Sequence, residues 1–296
     1  MKTTISTEIG SIANYVGEEA AVRLVAEAGF DSFDLTLKNI ALYDYGSRTV
    51  KKTGSPIEST DVVEYCRRLG ELARELGITC NQSHAPYPVS EPVIRDSLRL
   101  ALECTAAAGG EICVIHPNNR KSAEENAEMY LELLPYAKAC GVKIATENMW
   151  EWDGKNHRAG FAACGTPEDF VAHIKAVNDP YLVACVDVGH ASMVGHLGFT
   201  PADMIVALGD SVQTLHLHDN DLHDDLHRIP CSVQMDYAPI LAALDQIGYS
   251  GVFTLEAYKH LDLYGGQDIA LHVREMADSA KALAQAYDTL RRSNND

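Results

Sequence analysis

Eight short, strongly apolar runs recur along this chain, and a helical pattern of apolar residues follows each of them. The runs cover residues 3–9, 30–37, 78–84, 112–116, 142–148, 182–188, 212–218 and 252–256. Nearly continuous apolar runs of this kind are typical of parallel strands that are covered on both faces. Eight strand-helix units in 296 residues predict an α/β fold, specifically a (β/α)8 TIM barrel. An open doubly wound sheet is the alternative, but no glycine fingerprint follows the first run.

Helix signals support this interpretation. The clearest predicted helix lies at about residues 60–76, where apolar residues recur every three or four positions. Thr166-Pro167 and Thr200-Pro201 each combine a capping hydroxyl with a proline, and both predict helix starts. Helix ends are predicted at the glycines that precede a new strand, at positions 29, 77, 109, 141 and 248. Since no linker or internal repeat divides the chain, we expect one domain over residues 1–296.

Composition limits the partners that this chain can have. It carries 24 Lys and Arg against 42 Asp and Glu, a formal net charge of −18 at pH 7. Such an acidic surface repels phosphate backbones and anionic lipid, so we expect neither nucleic acid nor a membrane as a partner. The first residues lack the apolar segment of a secretion signal, and we therefore expect a cytoplasmic protein.

The ends of six consecutive predicted strands carry acidic or imidazole side chains, whereas the first two strands end in ordinary residues. These side chains are His84, His116, Glu147, Asp187, His190, His216, His218 and Glu256. Parallel strands bring their carboxyl ends to the same rim of a barrel, so we expect the side chains to converge there. Carboxylates gathered at one mouth repel one another unless a cation lies among them, which favours a divalent metal site.

Each of these residues also has a simpler explanation. His84 or His116 taken singly is typical of a hydrogen-bonded core residue, and Asp187 could cap a helix. His216 and His218 are expected to point to the same side of one strand. One of them can therefore contact a metal ligand without binding the metal itself. The Trp150 side chain is expected either to form an apolar wall against one face of a sugar or to pack against other side chains of the protein.

With these residues in view, the chain resembles the xylose isomerase-like TIM-barrel superfamily, and specifically its sugar phosphate isomerase/epimerase branch. The matching elements, in chain order, are His84-Ala85-Pro86, His116-Pro117, Glu147-Asn148, Asp187-Val188-Gly189-His190, His216-Leu217-His218-Asp219-Asn220 and Glu256. The resemblance implies one divalent metal per chain (Mn²⁺, Mg²⁺, Co²⁺ or Zn²⁺). Its implied ligands are Glu147, Asp187, His218 and Glu256, with His216 and Asp225 as additional candidates.

The resemblance also implies a reaction. Glu147 and Glu256 would move a proton at a carbon beside the substrate carbonyl, which is an isomerisation or an epimerisation of a small sugar or sugar-derived substrate. Substrate contacts are expected from His190, His84, His116, Trp150 and His227. A homodimer would suit this family resemblance.

Two departures from the family pattern keep other functions open. The arginine that follows the metal histidine in ketose epimerases is missing, because Asp224 stands six residues after His218. Asp225-Leu226-His227 instead resembles extra ligands of the apurinic endonuclease branch, which holds three zinc ions. A metal-dependent hydrolase or lyase, acting on a sugar conjugate or on abasic DNA, is therefore the alternative, and the acidic charge counts against DNA. A non-catalytic sugar-binding protein is the third hypothesis.

Overall fold

Eight parallel strands form one sheet that closes into a barrel in the computed structural model, which describes residues 2–295. Along the chain, the strands of the described residues are β1 (Ile5–Glu8), β2 (Ser32–Thr36), β3 (Leu42–Asp44), β4 (Thr49–Lys51), β5 (Thr79–His84), β6 (Ile112–Val114), β7 (Lys143–Glu147), β8 (Trp150–Asp153), β9 (Arg158–Phe161), β10 (Leu182–Asp187), β11 (Val212–His216) and β12 (Phe253–Leu255). The barrel order is β11-β10-β7-β6-β5-β2-β1-β12. A parallel bridge between Leu217 and Leu255 joins the two ends of the sheet. The predicted TIM barrel is confirmed, and all eight barrel strands lie within the predicted runs.

Helices surround the barrel. Those of the described residues are α1 (Gly10–Val16), α2 (Glu18–Ala28), α3 (Val62–Glu75), α4 (Pro92–Ala108), α5 (Ala123–Cys140), α6 (Pro167–Val177), α7 (Val188–Met193), α8 (Pro201–Leu208), α9 (Tyr237–Gln246) and α10 (Ile269–Asn295). The predicted starts of α6 and α8 are confirmed, because the Thr166 and Thr200 hydroxyls accept hydrogen bonds from the Asp169 and Asp203 amides. No helix within residues 2–295 is long and apolar enough to cross a membrane.

Two antiparallel hairpins stand in the loops after barrel strands. The first pairs β3 with β4 in the loop after β2, and the second pairs β8 with β9 in the loop after β7. Both loops leave the carboxyl ends of barrel strands, so the hairpins lie on the rim where the predicted site residues converge. The eight predicted runs do not include these hairpin strands, because the strands are three or four residues long and partly exposed, and so lack a clear apolar period.

Candidate metal centre

All eight barrel strands bring polar side chains to the mouth, including the first two. Glu8 at the end of β1 and Asp34 in β2 are buried and line the same cavity as Glu147 and Glu256. The expectation that the first two strands contribute only ordinary residues is therefore wrong. The missed signal was the period-two alternation of β2, which points Asp34 inward between the outward-facing Phe33 and Leu35.

The first group of side chains at the mouth, which we call the inner cluster, surrounds the buried Glu147 carboxylate. Its members are His84, His116, Glu147, His216 and Glu256. Glu147 Oε2 lies 3.2 Å from His116 Nε2 and 3.3 Å from His216 Nδ1. His216 Nδ1 also lies 3.6 Å from Glu256 Oε2. One imidazole nitrogen therefore faces both carboxylates.

A second group, which we call the outer cluster, consists of His190, His218, Asp225 and His227, whose ligand atoms all lie within 4.8 Å of one another. Asp225 Oδ2 lies 2.9 Å from His227 Nε2 and 3.8 Å from His190 Nε2. The His218 and His227 rings stack with their centroids 3.8 Å apart. His227 is buried in the mouth, together with the other two imidazoles of the cluster.

Asp187 and Asn148 connect the strand end that carries Glu147 with two histidines of the outer cluster. Asp187 Oδ1 accepts a hydrogen bond from the His190 amide at the start of α7, so the capping role left open above is present. The same oxygen lies 3.0 Å from His218 Nε2. The Asn148 side chain donates to the Asp187 carbonyl and accepts from the Asp187 amide, both at 2.8 Å. This exchange fixes the ends of β7 and β10, which carry Glu147 and Asp187.

His216 and His218 lie in different clusters. His216 ends β11 in register with Asp187 and points at the two glutamates. His218 comes two residues later and lies against Gly189, where an added Cβ would be 2.0 Å from His218 Cε1. Of the resemblance-implied ligands, Glu147 and Glu256 thus share contacts with His216, whereas His218 pairs with Asp187 and stacks on His227.

Five buried polar atoms of the described mouth residues have no hydrogen-bond partner. They are Asp34 Oδ1, Glu147 Oε2, His216 Nδ1, His218 Nδ1 and Asp225 Oδ1. Leaving a buried polar atom unpaired costs about 1–3 kcal/mol, so five of them in one place indicate a missing partner that interacts with carboxylate and imidazole atoms alike. A divalent cation has this property, and the residues present therefore fit one.

The two glutamates of the inner cluster differ in their affinity for a proton. Burial raises the pKa of Glu256 to about 8, and the nearby His216 offsets only part of this effect. Burial acts in the same direction on Glu147, but His216 and His116 outweigh it and hold the pKa of Glu147 well below its usual range. Without a bound cation, Glu256 therefore holds its proton more tightly than Glu147 does.

The imidazoles of the mouth also divide into two kinds. Burial lowers the pKa of both His116 and His227 to about 4, so their neutral rings offer a lone pair. Burial opposes the charge of His190 as well, but Asp187 and Asp225 outweigh it and raise the pKa of His190 well above its usual range. His190 is therefore a charged hydrogen-bond donor at neutral pH.

A cavity of about 280 Å³ opens above both clusters. Its wall includes Trp150, Tyr258 and Lys38, and Lys38 is the only Lys or Arg among the described residues that line it. A larger cavity of about 740 Å³ shares Tyr87 and His116 with it and reaches out between the two hairpins. The mouth therefore has room for a small ligand at the clusters and for further atoms outside.

The family model for the xylose isomerase-like TIM barrel matches residues 22–291, and the chain belongs to this family. An uncharacterized protein of Methanocaldococcus jannaschii is 24% identical over 85% of this chain and 88% of that protein.

Three solved structures with the same fold illustrate the likeness. A D-tagatose 3-epimerase-like protein is 21% identical, with 94% of this chain and 98% of that one covered and a TM-score of 0.67. An L-ribulose 3-epimerase is 13% identical, with 100% and 99% covered and a TM-score of 0.69. A structure of the IOLI protein with a binding zinc atom is 16% identical, with 97% and 99% covered and a TM-score of 0.71. At these identities the likeness shows the fold.

Proposed function

We propose that this chain is a divalent-metal-dependent sugar isomerase or epimerase that moves a proton at a carbon beside the substrate carbonyl. The observation that carries the proposal is the pair of mouth carboxylates, Glu147 and Glu256, which face the same His216 Nδ1 at 3.3 and 3.6 Å. The names of the structural neighbours, which include an L-ribulose 3-epimerase and a D-psicose 3-epimerase, support the same class of reaction.

We assign the cation to Glu147, Asp187, Glu256 and one histidine. We favour His216 for that histidine, because its Nδ1 faces two of the three assigned carboxylates, Glu147 and Glu256, whereas His218 Nε2 contacts only Asp187. When bound, the metal polarises the substrate carbonyl and so makes the neighbouring C–H bond more acidic. The number of imidazoles around the site favours Mn²⁺, Co²⁺ or Zn²⁺ over Mg²⁺.

The chain's own residues then move the proton. Glu147, ionised at neutral pH, removes the proton from carbon, and Glu256 returns one. Return to the opposite face of the same carbon gives an epimer. Return to the former carbonyl carbon, with the hydroxyl proton passing to the former carbonyl oxygen, gives an isomer. The charged His190 ring donates a hydrogen bond to the oxygen on which negative charge develops. Trp150 and Lys38, which line the same cavity, position the rest of the sugar.

A metal-dependent hydrolase or lyase acting on a sugar conjugate is the second candidate. Two observations favour it: the outer cluster can hold a cation of its own, and the larger cavity continues outward from the mouth. A second cation would assist attack by water, which an isomerase does not need.

Product analysis separates the two candidates. Metal-reconstituted protein is incubated with a panel of ketoses, aldoses and sugar acids, and separately with disaccharides and glycosides. We expect interconversion of sugars of equal mass, which Glu256→Gln abolishes and Glu132→Gln, an exposed change on α5, does not. Cleavage of conjugates into smaller fragments, without any interconversion, would support the hydrolase instead.

A further inference from the structure

A separate group of metal-ligand side chains lies where the segment after β12 meets helix α10. It consists of His260, His272 and Glu275, whose ligand atoms all lie within 4.8 Å of one another. The two histidines are buried, while the side chain of Glu275 is 41% exposed. None of the three belongs to the inner or the outer cluster.

The spacing of these atoms suits a tetrahedral cation. Glu275 Oε2 lies 2.8 Å from His272 Nδ1 and 3.4 Å from His260 Nε2. In a tetrahedral zinc site with bonds of about 2.0–2.1 Å, neighbouring ligand atoms lie about 3.3 Å apart. Small side-chain movements would therefore bring the three atoms into ligand positions.

The backbone and one aromatic ring hold the histidines in place. His272 and Glu275 are three residues apart near the start of α10, so they share a helix face. The Tyr264 ring stacks on His272 with centroids 3.4 Å apart and planes 8° from parallel. The amide of His260 donates to the Ala257 carbonyl at 3.0 Å, which fixes the first turn of the segment. Contacts within the segment thus hold His260 in place, and helix α10 together with the Tyr264 ring holds His272 and Glu275.

We propose that His260, His272 and Glu275 bind one Zn²⁺ ion that fastens the segment 257–268 to α10. Two imidazoles and one carboxylate are a donor set typical of zinc, and the exposed side of Glu275 leaves the fourth position to solvent. The chain's net charge of −18 favours cation binding in general. This site does not depend on the function proposed for the barrel mouth.

Fastening this segment affects the mouth, because the segment carries side chains that reach it. The Tyr258 ring lies 4.0 Å from the His227 ring, centroid to centroid, and lines the cavity above the clusters. Lys259 Nζ donates to the Asp225 carbonyl, and Arg228 donates to the Lys259 carbonyl. An ion bound between His260 and α10 would therefore order residues that line or border the cavity at the mouth.

Diffraction at the zinc absorption edge tests the proposal on crystals of the full chain grown with Zn²⁺. We expect an anomalous peak between His260 Nε2 and His272 Nδ1, which Glu147→Gln at the mouth leaves in place. Because the map resolves the two positions, loss of the mouth metal and loss of this ion are distinguished.

Zinc content in solution gives the matched comparison. His272→Ala should bind one Zn²⁺ fewer per chain than the wild type, and Glu275→Gln, which keeps the side-chain size, should bind that ion at least about tenfold more weakly. Glu132→Gln should match the wild type. No anomalous peak at the three residues, together with equal zinc content in all variants, would overturn the proposal.

Discussion

At the scale of single residues, the chemistry of the mouth depends on giving two similar carboxyl groups different environments. Glu256 lies in buried surroundings that raise its pKa to about 8, whereas imidazoles from three strands surround Glu147 and keep it ionised. Neither state follows from the residue type. Both follow from which strand end each side chain occupies, and hence from the barrel.

Glu147→Gln and Glu256→Gln should each lower turnover by at least about a hundredfold, since each removes a positioned proton-transfer group while keeping the side-chain shape. Steady-state kinetics on the substrate found in the product screen provide the measurement, with Glu132→Gln as the exposed control. Turnover within a few fold of the wild type in both variants would mean that the two carboxylates are structural.

The two histidines of β11 and its loop should differ in metal binding. We expect His216→Ala to lose the mouth metal, because its Nδ1 faces both glutamates, and His218→Ala to retain it. Elemental analysis of the purified variants checks this, and Asp187→Ala should resemble His216→Ala. Retention of the metal by His216→Ala with its loss from His218→Ala would restore the ligand set implied by the family resemblance.

At the scale of elements, apolar runs predicted every barrel strand, and strand ends predicted most of the mouth. Glu8 and Asp34 were not predicted. In a half-polar strand, the sequence pattern of an acid that faces the barrel interior is the same as that of an acid exposed to solvent. The hairpins could not be predicted, since residues 42–51 and 150–161 bury no continuous face. The alternation of side chains along a strand could not show that His216 and His218 belong to different clusters. They differ because His216 lies in β11, whereas His218 lies after its end, against Gly189.

Gly189→Ala tests the close contact between Gly189 and the His218 ring. The added Cβ would lie 2.0 Å from His218 Cε1, so the ring or helix α7 must shift. We expect a loss of about 1–3 kcal/mol in the free energy of unfolding, as for other overpacked sites. Urea denaturation measures this loss. Gly195→Ala is the matched control because no atom lies within 4 Å of its Cβ position. Equal stability of the two variants would contradict the close contact.

At the scale of the whole molecule, the barrel gathers side chains from eight strands at one mouth and surrounds them with an acidic surface. The net charge of −18 is compatible with a neutral or cation-bearing small ligand and disfavours a polyanion. Cations should accumulate near such a surface, which is consistent with the unpaired carboxylate and imidazole atoms of the mouth. A homodimer remains a prediction.

The same charge predicts no incision of abasic duplex DNA at physiological salt, because the protein lacks the excess of basic residues whose counterion release drives DNA binding. A gel assay with a synthetic abasic duplex, run across a range of salt concentrations, gives the measurement. Salt-sensitive incision by the metal-reconstituted protein would favour the hydrolytic alternative.

Incorporation of solvent deuterium tests the central claim, proton transfer that depends on a bound metal, most directly. Chelated protein and the same protein reconstituted with Mn²⁺, Co²⁺, Mg²⁺ or Zn²⁺ are incubated with the sugar panel in deuterated water, and the products are analysed by NMR. We expect deuterium at the carbon beside the carbonyl with at least one metal and none after chelation. Equal incorporation by the chelated protein, or cleavage of sugar conjugates without any incorporation, would contradict it.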